Sequence, residues 1–135
     1  IELDLADDFP EFELDATQFQ QVFYNLLRNA YQALQGKDGR IKIATSYNDY
    51  ECRISISDNG SGISPEQMGS LFEPYQTTKQ SGTGLGLLIV RRVIREHGGE
   101  IEIESEPGAG TSINILLPRG PKPVRLLETS VIDID

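Results

Sequence analysis

The chain has 135 residues, enough for one domain with a core of its own. Its 38% hydrophobic and 24% charged content is ordinary for a globular domain, and its net charge of −9 argues against a nucleic-acid binder, which usually shows a basic face. No apolar run is long enough to cross a bilayer, no signal peptide opens the chain, and the lone Cys52 cannot form an internal disulfide, so a reducing, cytoplasmic compartment is expected with no direct membrane contact.

The opening Ile1-Glu2-Leu3-Asp4 lacks an initiator methionine, and a fragment of a longer protein is expected. Residues 1–14 alternate loosely around Phe9-Pro10, which predicts a short strand, a turn at Pro10 and a second short strand. Asp15 is placed to cap a helix, with Gln18 in the capping-box position. That helix is predicted over residues 16–35. Phe19, Val22, Phe23, Leu26, Leu27, Ala30 and Leu34 recur at spacings of three and four, and Gly36 ends the run. Asn25 and Asn29, at i and i+4, share one flank of the apolar stripe. Asparagine is a mediocre helix former, so the pair reads either as a used edge or as a solvated flank.

Two alternating runs, 40–47 and 51–58, predict an antiparallel hairpin. The second ends in Asp58-Asn59-Gly60-Ser61-Gly62-Ile63. Asp58 reads as a plain turn residue or as a carboxylate at a pocket floor, where it would suit the exocyclic amine of adenine, with Gly60 and Gly62 letting a flat base approach. Ser64 caps a short helix that has Pro65 at its first position and carries Met68, Leu71 and Phe72. Nothing is periodic from Tyr75 to Gly84, so a loop or lid is expected there. Gly82-Thr83-Gly84-Leu85-Gly86-Leu87 then feeds a helix over 85–97, a place where free backbone N–H groups can hold a phosphate. It is neither a P-loop nor a dinucleotide fingerprint, because it lacks Gly-Lys-Ser/Thr and has no preceding strand. His97 reads as a helix C-terminal residue interacting with the dipole. A second hairpin is predicted over 100–105 and 111–117, and the proline-bearing 119–135 reads as a tail or linker.

Four motifs and a trailing glycine pair stand in order: Asn25-Leu26-Leu27-Arg28-Asn29-Ala30; Asp58-Asn59-Gly60-Ser61-Gly62; Phe72-Glu73-Pro74-Tyr75-Gln76-Thr77-Thr78-Lys79; Gly82 to Leu87; and Gly108-Ala109-Gly110-Thr111. In this order they resemble the N, G1, F, G2 and G3 boxes of the ATP-binding catalytic domain of sensor histidine kinases, within the GHKL ATPase superfamily of gyrase, MutL proteins and a class of chaperone. Thr77-Thr78-Lys79 before the G2 box looks most like the nitrogen-regulation branch. Gln76 departs from the aromatic residue usual there, and Gln32 sits where other branches carry a phosphate-binding lysine.

The resemblance implies a Bergerat-type α/β (α+β) two-layer sandwich over 1–118, with a mixed, mostly antiparallel sheet covered on one face by helices. It implies ATP and Mg²⁺ as ligands. Asp58 would accept the adenine amino group with Thr111 in support, and Gly60, Gly62 and Ile63 would line the base. Asn29 would bind Mg²⁺, with Asn25 beside the metal and phosphates as a second candidate ligand. Gly82, Thr83, Gly84, Leu85, Gly86 and Leu87 would wrap the phosphates. Thr78 and Lys79 would act from the lid, with Lys79 reaching the γ-phosphate.

ATP-hydrolysing relatives carry a Glu where this chain has Asn25, and an amide cannot serve as a general base. The expected activity is therefore phosphoryl transfer to another nucleophile, which needs positioning and charge neutralisation. In the resembled family the acceptor is a histidine on a separate dimerisation domain, with a response regulator downstream. That acceptor is absent here, so a monomeric fragment that binds ATP without autophosphorylating is expected. Two alternatives on the same fold are a serine kinase of the anti-sigma-factor type and a non-catalytic nucleotide-binding module.

Overall fold

The alternation of apolar and polar residues is realised as a single five-stranded sheet. The computed structural model describes residues 1–11, 14–34, 38–72 and 86–119. Its strands are β1 (Glu2–Asp4), β2 (Ile41–Tyr47), β3 (Glu51–Asp58), β4 (Glu100–Glu106) and β5 (Gly110–Pro118). They lie in the order β1-β2-β3-β5-β4, with β1 parallel to β2 and every other pair antiparallel. The mixed, mostly antiparallel sheet is thus as expected. Both expected hairpins form, β2 with β3 and β4 with β5.

Alternation also sorts the faces. Ile41, Ile56, Ile113, Ile115 and Leu117 point to one side and are buried with residues of two helices. These are α1 (Ala16–Leu34) and α3 (Gly86–Glu96). Phe19, Val22, Leu26 and Ala30 of α1 meet Val90, Val93 and Ile94 of α3 in that same core. Leu26 is fully buried, and truncating such a leucine to alanine typically costs about 2–5 kcal/mol. The opposite face carries Ser55, Ser57, Ser112 and Asn114, which pair through Ser55 Oγ donating to Asn114 Oδ1 and a 3.0 Å Ser57–Ser112 contact.

The start of α1 is fixed by local bonds and by one tertiary bond. The Asp15 carboxylate accepts the Gln18 N–H at 3.0 Å, as a helix cap should. The Asp15 N–H donates to His97 Nε2 at 3.1 Å, so a tertiary contact serves that donor. An N–H can only donate, so Nε2 is the acceptor and the imidazole proton sits on Nδ1, which donates to the Val93 carbonyl at 2.8 Å. The ring also meets Phe19 edge-on, with centroids 4.8 Å apart. His97 is thus a structural residue at the end of α3, as expected, and it joins that end to the start of α1.

Two expectations need correcting. The turn near the N-terminus lies at Asp7-Asp8, where Asp8 takes φ 56, and not at Pro10. Glu11 and Leu14 are outside any strand, and the expected second short strand around Phe12 and Glu13 lies outside the described residues. The helix capped by Ser64 is short. α2 spans Pro65–Met68 and stops at Gly69, a poor helix former, leaving Leu71 and Phe72 in a turn. The expected capping at Gly36, the expected lid and the tail beyond Arg119 lie outside the described residues. Phe72 is held by Arg91 of α3, whose guanidinium lies 4.2 Å from the ring centroid, so Arg91 is half-buried rather than a plain surface charge.

Cys52 is fully buried, and burial pushes its thiol pKa up, opposed by the positive charge of Arg119. A thiol reagent is therefore expected to label the native chain far more slowly than the urea-unfolded chain; equal rates would contradict this burial. His97→Ala removes the acceptor of the exposed Asp15 N–H, which water then serves, and the ring that meets Phe19 edge-on. It is expected to lower stability by about 0.5–1.5 kcal/mol in urea unfolding, and wild-type stability would refute the junction.

Candidate functional site

The strand pairing brings Asp58 and Thr111 together. They are cross-strand partners in β3 and β5, and Thr111 is in turn the partner of Ser105 in β4. Cross-strand partners share a face, so Asp58, Thr111 and Ser105 form a row on the helix-covered side, beyond Ile56 and Ile113. Thr111 is buried and Asp58 half-buried.

Beyond Asp58 the chain makes a turn that is fastened at several points. The Gly60 N–H donates to Asp58 Oδ1 at 2.8 Å, an Asx-type turn. Asn59 Oδ1 accepts the Arg40 N–H at 2.7 Å. The Ser61 N–H donates to the Ala33 carbonyl at 2.9 Å, and the Ser61 carbonyl accepts the Gly108 N–H at 2.7 Å. Ile63 N–H donates to Ser105 Oγ at 2.7 Å. The two readings of Asp58 are therefore compatible: the same carboxylate closes a turn and stands beside Thr111.

The glycines of this turn have a reason that the sequence did not show. A Cβ on Gly60 would lie 2.4 Å from the Ala33 carbonyl oxygen. Gly62 has φ 75, and its Cβ would lie 2.1 Å from the Glu106 carbonyl oxygen. Both positions need glycine so that the turn can close against α1 and the β4–β5 hairpin.

On α1, Asn25, Asn29 and Ala33 are spaced at i, i+4 and i+8 and follow one row of the helix. One end of the row meets the start of α3, where Asn25 Cγ would be 3.9 Å from a Cβ on Gly86. The other end meets Gly60 through Ala33. A rise of about 1.5 Å per residue separates these ends by roughly 12 Å. Asn25 and Asn29 are half-buried between them. Gly86 is the first residue of α3, and Leu87 packs against the core. Thr78, Lys79, Gly82, Thr83, Gly84 and Leu85 lie outside the described residues.

A groove of about 450 Å³ also opens at this end of the sheet. It is lined by Ser57, Ser112, Glu104 and Glu106 besides Asp58 and Thr111. Those four belong by alternation to the helix-free face, and their hydroxyls and carboxylates are not the apolar lining a purine needs. Among the described residues no three His, Cys, Asp or Glu side chains cluster to hold a metal. No helix among them is long and apolar enough to cross a membrane.

Sequence reasoning missed Ser105. It is the hub that ties Ile63, Gly110 and Thr111 together, and the only signal was its place just before the Pro107–Gly110 turn.

Residues 14–121 match the family described as histidine kinase-, DNA gyrase B-, and HSP90-like ATPase. The sensor histidine kinase ZraS of Escherichia coli (strain K12) is 40% identical over 112 residues, which are 83% of this chain and 24% of that protein. Sporulation kinase E of Bacillus subtilis (strain 168) is 39% identical over 118 residues, 87% of this chain and 16% of that protein. The chain thus spans a quarter or less of these curated relatives. Among solved structures, a nucleotide-free catalytic domain of the histidine kinase ThkA superposes with a TM-score of 0.75 at 35% identity, covering 86% of this chain and 76% of that one.

Gly62→Ala forces both a strained φ and a clash, and is expected to cost at least ~2 kcal/mol without any ligand present. Thermal unfolding checks it, and an unchanged midpoint would remove the close approach from the account of this turn.

Proposed function

The chain belongs to the histidine kinase-, DNA gyrase B- and HSP90-like ATPase family, and we propose that it is the ATP-binding catalytic domain of a two-component sensor histidine kinase. The observation that carries the reading is the pairing of two rows: Asp58–Thr111 across the sheet end, and Asn25–Asn29 along α1 between Gly60 and Gly86. The first presents a carboxylate and a hydroxyl suited to the amino group of adenine. The second presents amide oxygens suited to a hard cation, and the N-terminus of α3 beyond it suits phosphate. The catalytic-domain unit would be residues 1–118, with 119–135 a tail or linker.

In this reading Asp58 and Thr111 hold the base, and Gly60, Gly62 and Ile63 shape the turn beside it. Asn29, with Asn25 next to it, offers amide oxygens to Mg²⁺. The residue types fit that ion, which shares phosphate oxygens and keeps waters, so one or two protein oxygens suffice. When bound, Mg²⁺ neutralises charge on the phosphates. By the resemblance of their motif, Gly82, Thr83, Gly84, Leu85, Gly86 and Leu87 would wrap the phosphates, and Thr78 and Lys79 would act on the γ-phosphate side. Asn25 cannot take a proton, so no side chain at that place activates water. The γ-phosphoryl group passes instead to a histidine on a separate dimerisation domain and then to a response regulator. This part of the parent protein works in the cytoplasm and is monomeric, without nucleic-acid or direct membrane contact of its own, which is compatible with a membrane-anchored parent. The Thr-Thr-Lys motif favours the nitrogen-regulation branch.

Titration with a fluorescent ATP analogue and Mg²⁺ tests the reading, and the absence of binding would overturn it. Asp58→Asn keeps an Oδ1 acceptor for the Gly60 N–H while losing the charge. It and Asn29→Ala are each expected to weaken binding by roughly ten- to a hundredfold, with the unfolding midpoint nearly unchanged. Wild-type affinity in both would refute the assignment. With labelled ATP the chain alone should incorporate no label, because both His97 nitrogens are engaged; label should appear on the acceptor domain of the parent protein when that is added.

A further inference from the structure

Ser105 sits at the end of the row formed by Asp58 and Thr111, and its hydrogen bonds have a direction that can be counted. Its Oγ accepts the Ile63 N–H at 2.7 Å. It lies 3.0 Å from the Gly110 carbonyl oxygen, which can only accept. It lies 2.9 Å from Thr111 Oγ1, where either hydroxyl can be the donor. A serine hydroxyl has one proton. With that proton on the Gly110 carbonyl, the Thr111 hydroxyl must donate to Ser105, and Thr111 Oγ1 then turns only lone pairs outward. Its neighbour along the row, the Asp58 carboxylate, also only accepts.

We propose that Ser105 is a positioning residue that fixes the Thr111 hydroxyl as an acceptor, so that Asp58 and Thr111 together select a purine with an exocyclic amine and reject one with a carbonyl there. This rests on the nucleotide-binding reading above. Adenine offers an N6 amine at that edge, whereas guanine offers an O6 acceptor. Two fixed acceptors facing O6 offer it no donor and repel it, so guanine gains no hydrogen bond at that edge where adenine gains one or two. Without Ser105, Thr111 can rotate its proton outward and donate to O6, which relaxes the choice. Asp58 alone then opposes guanine.

The test compares Mg·ATP and Mg·GTP binding to the full chain by calorimetry. The wild type should prefer ATP. Ser105→Ala should shrink the ratio of the two affinities by about five- to tenfold, and Ser105→Thr, which keeps the hydroxyl, should restore it. In a Thr111→Val background Ser105→Ala should leave the ratio unchanged, because the hydroxyl it orients is gone. Should Ser105→Ala fail to fold, Ser105→Cys, with its weaker donor and similar shape, carries the same comparison. Equal weakening of both nucleotides with the ratio intact would reduce Ser105 to a support for the Ile63 turn and overturn the proposal. A shift that persists with Thr111→Val would overturn it too. A wild type that binds ATP and GTP alike would overturn the selection while leaving nucleotide binding in place, whereas a wild type that binds neither would overturn the functional reading itself.

Discussion

The register of β3 against β5 is the constraint on which the rest depends. Eight residue pairs run from Glu51 opposite Pro118 to Asp58 opposite Thr111, in the middle of the sheet. One face of that ladder carries Cys52, Ile54, Ile56, Ile113, Ile115 and Leu117 into the apolar interior, and the other carries Ser55, Ser57, Ser112 and Asn114. A slip by one residue would exchange the faces, exposing the core and turning Asp58 and Thr111 away from the helices. Hydrophobic burial therefore fixes the position of two polar side chains. The core sets the register, and the register sets the site.

The helices complete the site by the same economy. α1 is held on the sheet by Phe19, Val22, Leu26 and Ala30, and its orientation about its own axis follows from burying that stripe. Asn25, Asn29 and Ala33 then fall on a flank facing the turn after β3 at one end and the start of α3 at the other. The axial position of α1 is pinned from outside the helix. His97, on the turn that closes α3, accepts the Asp15 N–H and donates to Val93, so the beginning of α1 and the end of α3 cannot slide independently. The turn after Asp58 is fixed likewise, by bonds to Ala33, Arg40, Gly108 and Ser105 that belong to four different parts of the chain. Each local element is ordinary; their mutual bonding makes the constellation rigid.

Much of this was legible because it obeys local rules. The period of α1, the alternation of four strands, the Asp15 cap and the Ser64-Pro65 helix start were all read from spacing and turn chemistry. The parts that were not legible had non-local causes. The N-terminal strand pairs with β2 from a distance, so its short run gave no sign that the chain turns at Asp7-Asp8. The end of α2 at Met68 depended on a single glycine amid residues that otherwise continue the apolar pattern. In the sequence Gly60 and Gly62 read as openings for a flat base. Their more immediate reason is the approach of the Ala33 and Glu106 carbonyls, which come from elsewhere in the chain.

By itself the sequence determined which residues are apolar, at what period, and which residue types are available for chemistry. That was enough for the helix–sheet layering, the two hairpins, the family and the candidate side chains, because burial period and ordered motifs are one-dimensional properties. Only the tertiary structure decided which of those side chains face one another. Asp58 meets Thr111, and Asn25 meets Gly86, across separations that no local pattern records. It also gathered the Ile63 N–H, the Gly110 carbonyl and the Thr111 hydroxyl around Ser105 Oγ, because those partners are brought together by the fold and not by the chain.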